Sequence, residues 1–115
     1  MNNKVGFSMN ILHINEFQTS FTHDIRKVCQ NDGKVFVLLS IPYDDDTIDN
    51  IYATTLDCKI LWRIQSIKEF YQNYLPLPYV HMVLESNELR ATDFCGRRVL
   101  INPDDGKIIK RDFVK

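Results

Sequence analysis

Residues Val35–Leu39 read V-F-V-L-L with no polar position, directly after the turn signal Asn31-Asp32-Gly33. Asp-Gly supplies the positive φ that a tight hairpin turn needs. A short, continuously apolar run suits a strand buried on both faces. The pattern predicts a hairpin with strands over about 21–30 and 34–40, ended by Pro42. A helix over Thr19–Gln30 is the competing reading of the mixed segment before the turn.

A second pattern occurs twice. Ile51–Arg63 reads I-Y-A-T-T-L-D-C-K-I-L-W-R, and Val99–Arg111 reads V-L-I-N-P-D-D-G-K-I-I-K-R. The two align without a gap: an apolar run, a turn centred on Asp, a Lys, then another apolar run. That is a β-hairpin written twice, and self-similarity of this kind sets architecture. In the first half it predicts strands at about 50–56 and 59–64. In the second half, Tyr79–Leu84 and Leu89–Phe94 flank the turn Ser86-Asn87, and 97–102 and 107–113 form the second copy.

Between the halves, Ser66-Ile67-Lys68-Glu69 has capping-box spacing. Ile67, Phe70, Tyr71, Tyr74 and Leu75 follow on one helical face, and Pro76 and Pro78 stop it. The predicted fold is therefore mainly β (α+β). Two antiparallel four-stranded meanders, over about 21–64 and 79–113, form a curved sheet or half-barrel, with one short helix near 66–75. All of it belongs to a single domain, 1–115, since 115 residues suffice for one ordinary domain and not for two.

Composition narrows the class. Hydrophobic residues are 44% and charged residues 25%, the balance of a globular chain. A net charge of −1 gives no footprint for direct nucleic-acid binding. No apolar window approaches the roughly 18 residues of a membrane span. The first ten residues lack the apolar core and cleavage site of a secretory signal. Cys29, Cys58 and Cys95 are odd in number, so they cannot all pair internally. With the missing signal, they point to free thiols in a reducing cytoplasm.

Chemistry is sparsely written. His13, His23 and His81 have no zinc-like ligand spacing around them, and no C-x-x-C occurs. His81, inside an apolar strand, reads as a packed or hydrogen-bonded core residue. G-x-S-x-G, the P-loop and G-x-G-x-x-G are all missing. Catalysis and cofactors are therefore not expected.

The sharpest local feature is the loop Y-D-D-D-T-I-D-N, carrying Tyr43, Asp44, Asp45, Asp46 and Asp49. Clustered carboxylates suit a calcium ion, but the spacing is not that of an EF-hand. They also suit a docking patch for a basic partner, or a solvated loop with no partner at all. Charge segregation favours docking: from Asn31 to Cys58 there are six Asp against one Lys. Tyr43, Tyr52 and Trp62 are aromatics of the kind that anchor interfaces, although Trp62, on its strand, reads rather as core.

The segment K-V-F-V-L-L-S-I-P-Y, the acidic loop, D-N-I-Y-A-T-T-L-D-C-K-I-L-W-R-I and the closing R-V-L-I-N-P-D-D-G-K-I-I together resemble small bacterial immunity proteins. These are partners of polymorphic toxins, including those of contact-dependent growth inhibition. The resemblance covers roughly Val35–Ile109. Cys58 stands where such hairpins carry Gly, a position Gly106 keeps in the second copy. The hairpin phrase is also similar to blades of quinoprotein-type β-propellers. The first resemblance implies a non-enzymatic cytoplasmic protein that binds a cognate toxin domain, a basic nuclease above all, and blocks its active site. Tyr43, Asp44, Asp45, Asp46 and Asp49 are the implied contact. The alternatives are a non-catalytic β-sheet adaptor that self-associates through an edge strand, and a small enzyme whose site forms only in a dimer.

Overall fold

In a computed structural model describing residues 3–70 and 75–114, every strand pairing is antiparallel and joins strands consecutive in the sequence. β1 (Val5–Ser8), β2 (Ile11–Ile14) and β3 (Phe17–Ser20) make an N-terminal sheet. β4 (Ile25–Asn31), β5 (Lys34–Leu39), β6 (Ile51–Thr54) and β7 (Ile60–Arg63) make a central sheet in sequential order. β8 (Tyr79–Glu85), β9 (Glu88–Asp93), β10 (Arg97–Ile101) and β11 (Ile108–Phe113) make a C-terminal sheet, again sequential. The mainly antiparallel β class is thus as expected. The two four-stranded repeats in one curved sheet or half-barrel are not: the described residues form three separate sheets, of three, four and four strands.

The apolar pattern explains why the sheets stack instead of curling. Alternate side chains of a strand point to opposite faces. Val35, Val37 and Leu39 meet Leu12 and Ile14 of the N-terminal sheet. Phe36 and Leu38 meet Met82, Leu89, Ala91, Val99 and Ile101 of the C-terminal sheet. Both faces of β5 are therefore buried, and one curved sheet would have left one of them in water. Removing a side chain the size of Phe36 from water is worth about 1.5–3 kcal/mol.

The outward faces are polar. Leu12 and Ile14 point inward, so alternation turns His13 outward with its partners Gly6 and Gln18. On the far side Arg98 grips Asp112 through two hydrogen bonds, 2.8 and 2.7 Å. His81 lies on this outer face and is exposed, not in the core, because its neighbour Met82 takes the inward position.

The predicted strand over 21–30 begins at Ile25, and the helical alternative for 19–30 is replaced by the end of β3 and by β4. The predicted helix is reduced, among the described residues, to a 3₁₀ turn over Ile67–Glu69. Ser66 caps it by accepting from the Lys68 amide, and the Phe70 carbonyl is taken by the Arg111 guanidinium at 3.0 Å. Tyr71 and Tyr74 of the expected helical face lie outside the described residues.

Both copies of the repeated phrase are hairpins, β6–β7 and β10–β11. They interlock across the sheet interface. Trp62 is buried, and its indole N–H donates to the Pro103 carbonyl at 2.9 Å. Its ring lies under Gly106, where a Cβ would come within 2.6 Å of Cε3.

Candidate functional site

The acidic loop leaves β5 at Leu39 and returns at Ile51, at the end of the central sheet opposite the Asn31–Gly33 turn. Its last two residues are clamps. Asn50 is buried, donates to the Leu39 carbonyl at 2.7 Å and the Tyr79 carbonyl at 2.9 Å, and accepts from the Tyr79 amide at 2.8 Å. It therefore joins the central sheet to the start of β8.

Asp49 is placed differently from the sequence expectation. It is only 8% exposed and sits at φ 55°. Its carboxylate accepts from the Ile67 amide at 3.0 Å, and its carbonyl accepts from Arg63 Nε at 2.9 Å. A buried carboxylate needs such donors, and here they fix the segment after β7. Asp49 is turned into the protein.

Asp45 is held too. Its amide donates to the Pro42 carbonyl at 3.0 Å, closing a turn. One carboxylate oxygen accepts from the Thr47 amide at 2.8 Å, and the other lies 2.7 Å from His23 Nε2. The second ring nitrogen of His23 meets Thr22 Oγ1 at 2.9 Å. The Thr47 contact first, then His23, lowers the Asp45 pKa to about 2. His23 is the residue that sequence reasoning missed. Its partner lies 22 positions away, a distance at which sequence carries no local signal.

What stays open is the apex. Tyr43 is fully exposed at 107% of its reference area, and Asp44 and Asp46 are exposed beside it. The five expected site residues thus divide. Tyr43, Asp44 and Asp46 face solvent, Asp45 pins the turn beneath them, and Asp49 anchors the loop's end. Among the described residues no three His, Cys, Asp or Glu side chains converge as metal ligands would.

A second concavity, of about 640 Å³, opens between the central and C-terminal sheets at the opposite end. Its polar walls are joined across the gap by Asn31–Asn87 at 2.6 Å and Lys34–Asp104 at 3.2 Å, which reads as docking between sheets. Of the cysteines, Cys58 is buried, Cys29 half-buried and Cys95 exposed. Cys58 adopts φ 66°, so the first hairpin turn does carry a non-glycine residue in the left-handed region.

The model of a family described as a domain of unknown function, DUF7957, matches residues 2–113. The chain belongs to the DUF7957 family. No curated protein matches it. Among solved structures, the crystal structure of the computationally designed Ika8 protein is similar, with a TM-score of 0.58 at 9% identity. The likeness covers 94% of this chain and 35% of that one, so this DUF7957 chain spans about a third of the designed protein's length. At that identity the likeness concerns the fold alone.

Proposed function

We propose that this chain is a non-catalytic, cytoplasmic immunity protein that neutralises a cognate toxin domain by covering its active site. The observation that carries the reading is the apex of the 40–50 loop. A wholly exposed Tyr43 lies within the Pro42–Asp45 turn, beside the exposed carboxylates of Asp44 and Asp46, and the Asp45–His23 and Asp45–Thr47 contacts hold the turn in place. Tyrosine is enriched among the residues that dominate binding energy. A loop already held in one conformation loses less entropy on binding. Carboxylates at its rim suit a basic partner such as a nuclease cleft, and they act mainly on the association rate. The sequence resemblance to immunity proteins supplies the biological role.

The test is co-expression with the product of the gene directly upstream, followed by co-purification and growth rescue. Tyr43→Ala is expected to weaken the complex by about 2 kcal/mol or more, as an anchor does. The Asp44→Asn/Asp46→Asn double variant is expected to slow association and flatten its dependence on salt. Unchanged binding and rescue in both variants would move the interface elsewhere, and the lack of any upstream toxin gene would end the immunity reading.

A self-associating adaptor is the second reading. It is favoured by β11, an edge strand among the described residues that exposes Ile109 and Phe113. Concentration-dependent sedimentation with no toxin bound would support it.

A further inference from the structure

The N-terminal sheet is one strand short of its neighbours. The central and C-terminal sheets have four strands each, and the N-terminal sheet has three. The stacking shows where a fourth would lie. β1 packs on β4, Leu12 and Ile14 of β2 pack against β5, and Phe21, just after β3, packs its ring on Tyr52 of β6 at 5.3 Å. Strand for strand, no described segment of the N-terminal sheet stands opposite β7. A groove of about 380 Å³ occupies that place, lined by Thr19, Ser20, Phe21, Thr22, Tyr52 and Ile60. Ile60 is 51% exposed and Phe17 of β3 is 43% exposed, as apolar residues are when the strand that would cover them is missing.

The edge is chemically open. The Phe21 amide donates to the Asn10 carbonyl at 2.9 Å, continuing the ladder between β2 and β3. Antiparallel strands alternate the direction of their amides, so Phe17 and Thr19 point toward β2. Gln18 and Ser20 point their amides and carbonyls away from it. Among the described residues, β3 has no strand on that side.

We infer that β3 accepts an extended segment of a partner protein as a fourth strand, antiparallel to β3 and seated over β7. The groove states its chemistry. The inward side chains must alternate, one apolar against Ile60 and Phe17. A second must be acidic, because the Arg63 guanidinium lies 5.5 Å over the Tyr52 ring that lines the groove; Lys59, next to Ile60, is already paired with Asp57 at 3.5 Å and makes no such demand. No carboxylate lines the groove to answer Arg63. The outward side chains must be polar, to match Gln18 and Ser20 of the outer face. Main-chain hydrogen bonds would supply affinity and the alternate side chains specificity, as in other strand additions. This site is separate from the Tyr43 apex and stands whether or not that loop binds a toxin.

The probe is a capped peptide, Thr-Glu-Thr-Val-Thr-Val-Thr, titrated to millimolar concentration into the ¹⁵N-labelled full chain. Its control has Lys in place of Glu. Amide shifts are expected at Gln18, Ser20, Tyr52 and Ile60, with hydrogen exchange at Gln18 and Ser20 slowed about tenfold and with little response to the Lys peptide. Gln18→Pro removes an outward N–H and leaves the β2 ladder intact, so it should abolish the response. If that variant fails to fold, Ile60→Lys, at an exposed site, serves the same purpose. No shift along β3, or equal response to both peptides, overturns the inference. Protection at β3 that grows with protein concentration in the absence of peptide also overturns it, in favour of a second copy of this chain.

Discussion

Two residues show how much a single position can decide. Gly106 has φ +77° and no room for a Cβ, because Trp62 lies 2.6 Å from where that atom would be. Gly33 has a similar φ, +76°, with nothing within 4 Å. Gly106→Ala therefore suffers both left-handed strain and overpacking, about 2–4 kcal/mol together. Gly33→Ala suffers only the strain, about 1–2 kcal/mol. Urea unfolding of the two variants should show that gap in midpoint, and equal midpoints would mean the Trp62 contact yields freely. Asp45 offers a second measurement. Its folded pKa, about 2, lies below the ordinary 3.8. A lowered carboxylate pKa adds stability that is fully present above the unfolded value and is lost as pH falls through the folded one. The pinned loop should thus hold above pH 3.8 and loosen toward pH 2. Carboxyl NMR should find Asp45 titrating near 2. In His23→Ala the midpoint should rise only partway, because the Thr47 contacts remain.

At the scale of elements, the β10 entry turn is the most exacting construction. Asp93 is buried, and its carboxylate accepts from the Cys95 and Arg97 amides at 2.9 and 3.0 Å and from Arg97 Nε at 2.6 Å. Arg97, also buried, reaches on to the Leu75 carbonyl at 2.8 Å. Asp93→Ala removes the buried carboxylate that pairs with that guanidinium and should cost about 3–5 kcal/mol in thermal or urea unfolding. A loss below 1 kcal/mol would show that water replaces the carboxylate there. The strands around this turn were legible from alternating apolar positions and Asp-Gly or Asn turns. β1 to β3 were not. Their turns use Met9 and Asn15 at positive φ in place of glycine, and their four-residue strands are too short to show a period. Of the helix near 66–75, the described residues show only the first turn, Ile67–Glu69, with the Ser66 cap that the sequence offered and with Asp49 also accepting from the Ile67 amide; Tyr71 and Tyr74 lie outside the described residues. Of the candidate site, the exposure of Tyr43 and Asp44 followed from a polar loop; the burial of Asp49 did not, since its donors come from the distant segment 63–67.

For the whole molecule, each strand among the described residues pairs only with strands adjacent in sequence, and the sheets meet mainly through side chains, tied by main-chain bonds from Ile25 to the Met9 carbonyl at 2.8 Å and from Gln65 to the Gly106 carbonyl at 3.0 Å and by side chains such as Asn50 and Lys27, whose ammonium donates to the Met82 carbonyl at 2.6 Å. The strands nearest the two chain ends, β1 and β11, each border a sheet and lie antiparallel to a single neighbour. A tension applied to the two ends would therefore load the Val5–Ile14 and Phe113–Arg97 pairs first and open the ladders one rung at a time, as a zipper opens, without shearing many bonds together. Built this way, the protein is held together by its double-faced middle strand and yields to mechanical pull from its margins, so a machine that threads chains by their ends would meet little resistance until it reached β4 or β8.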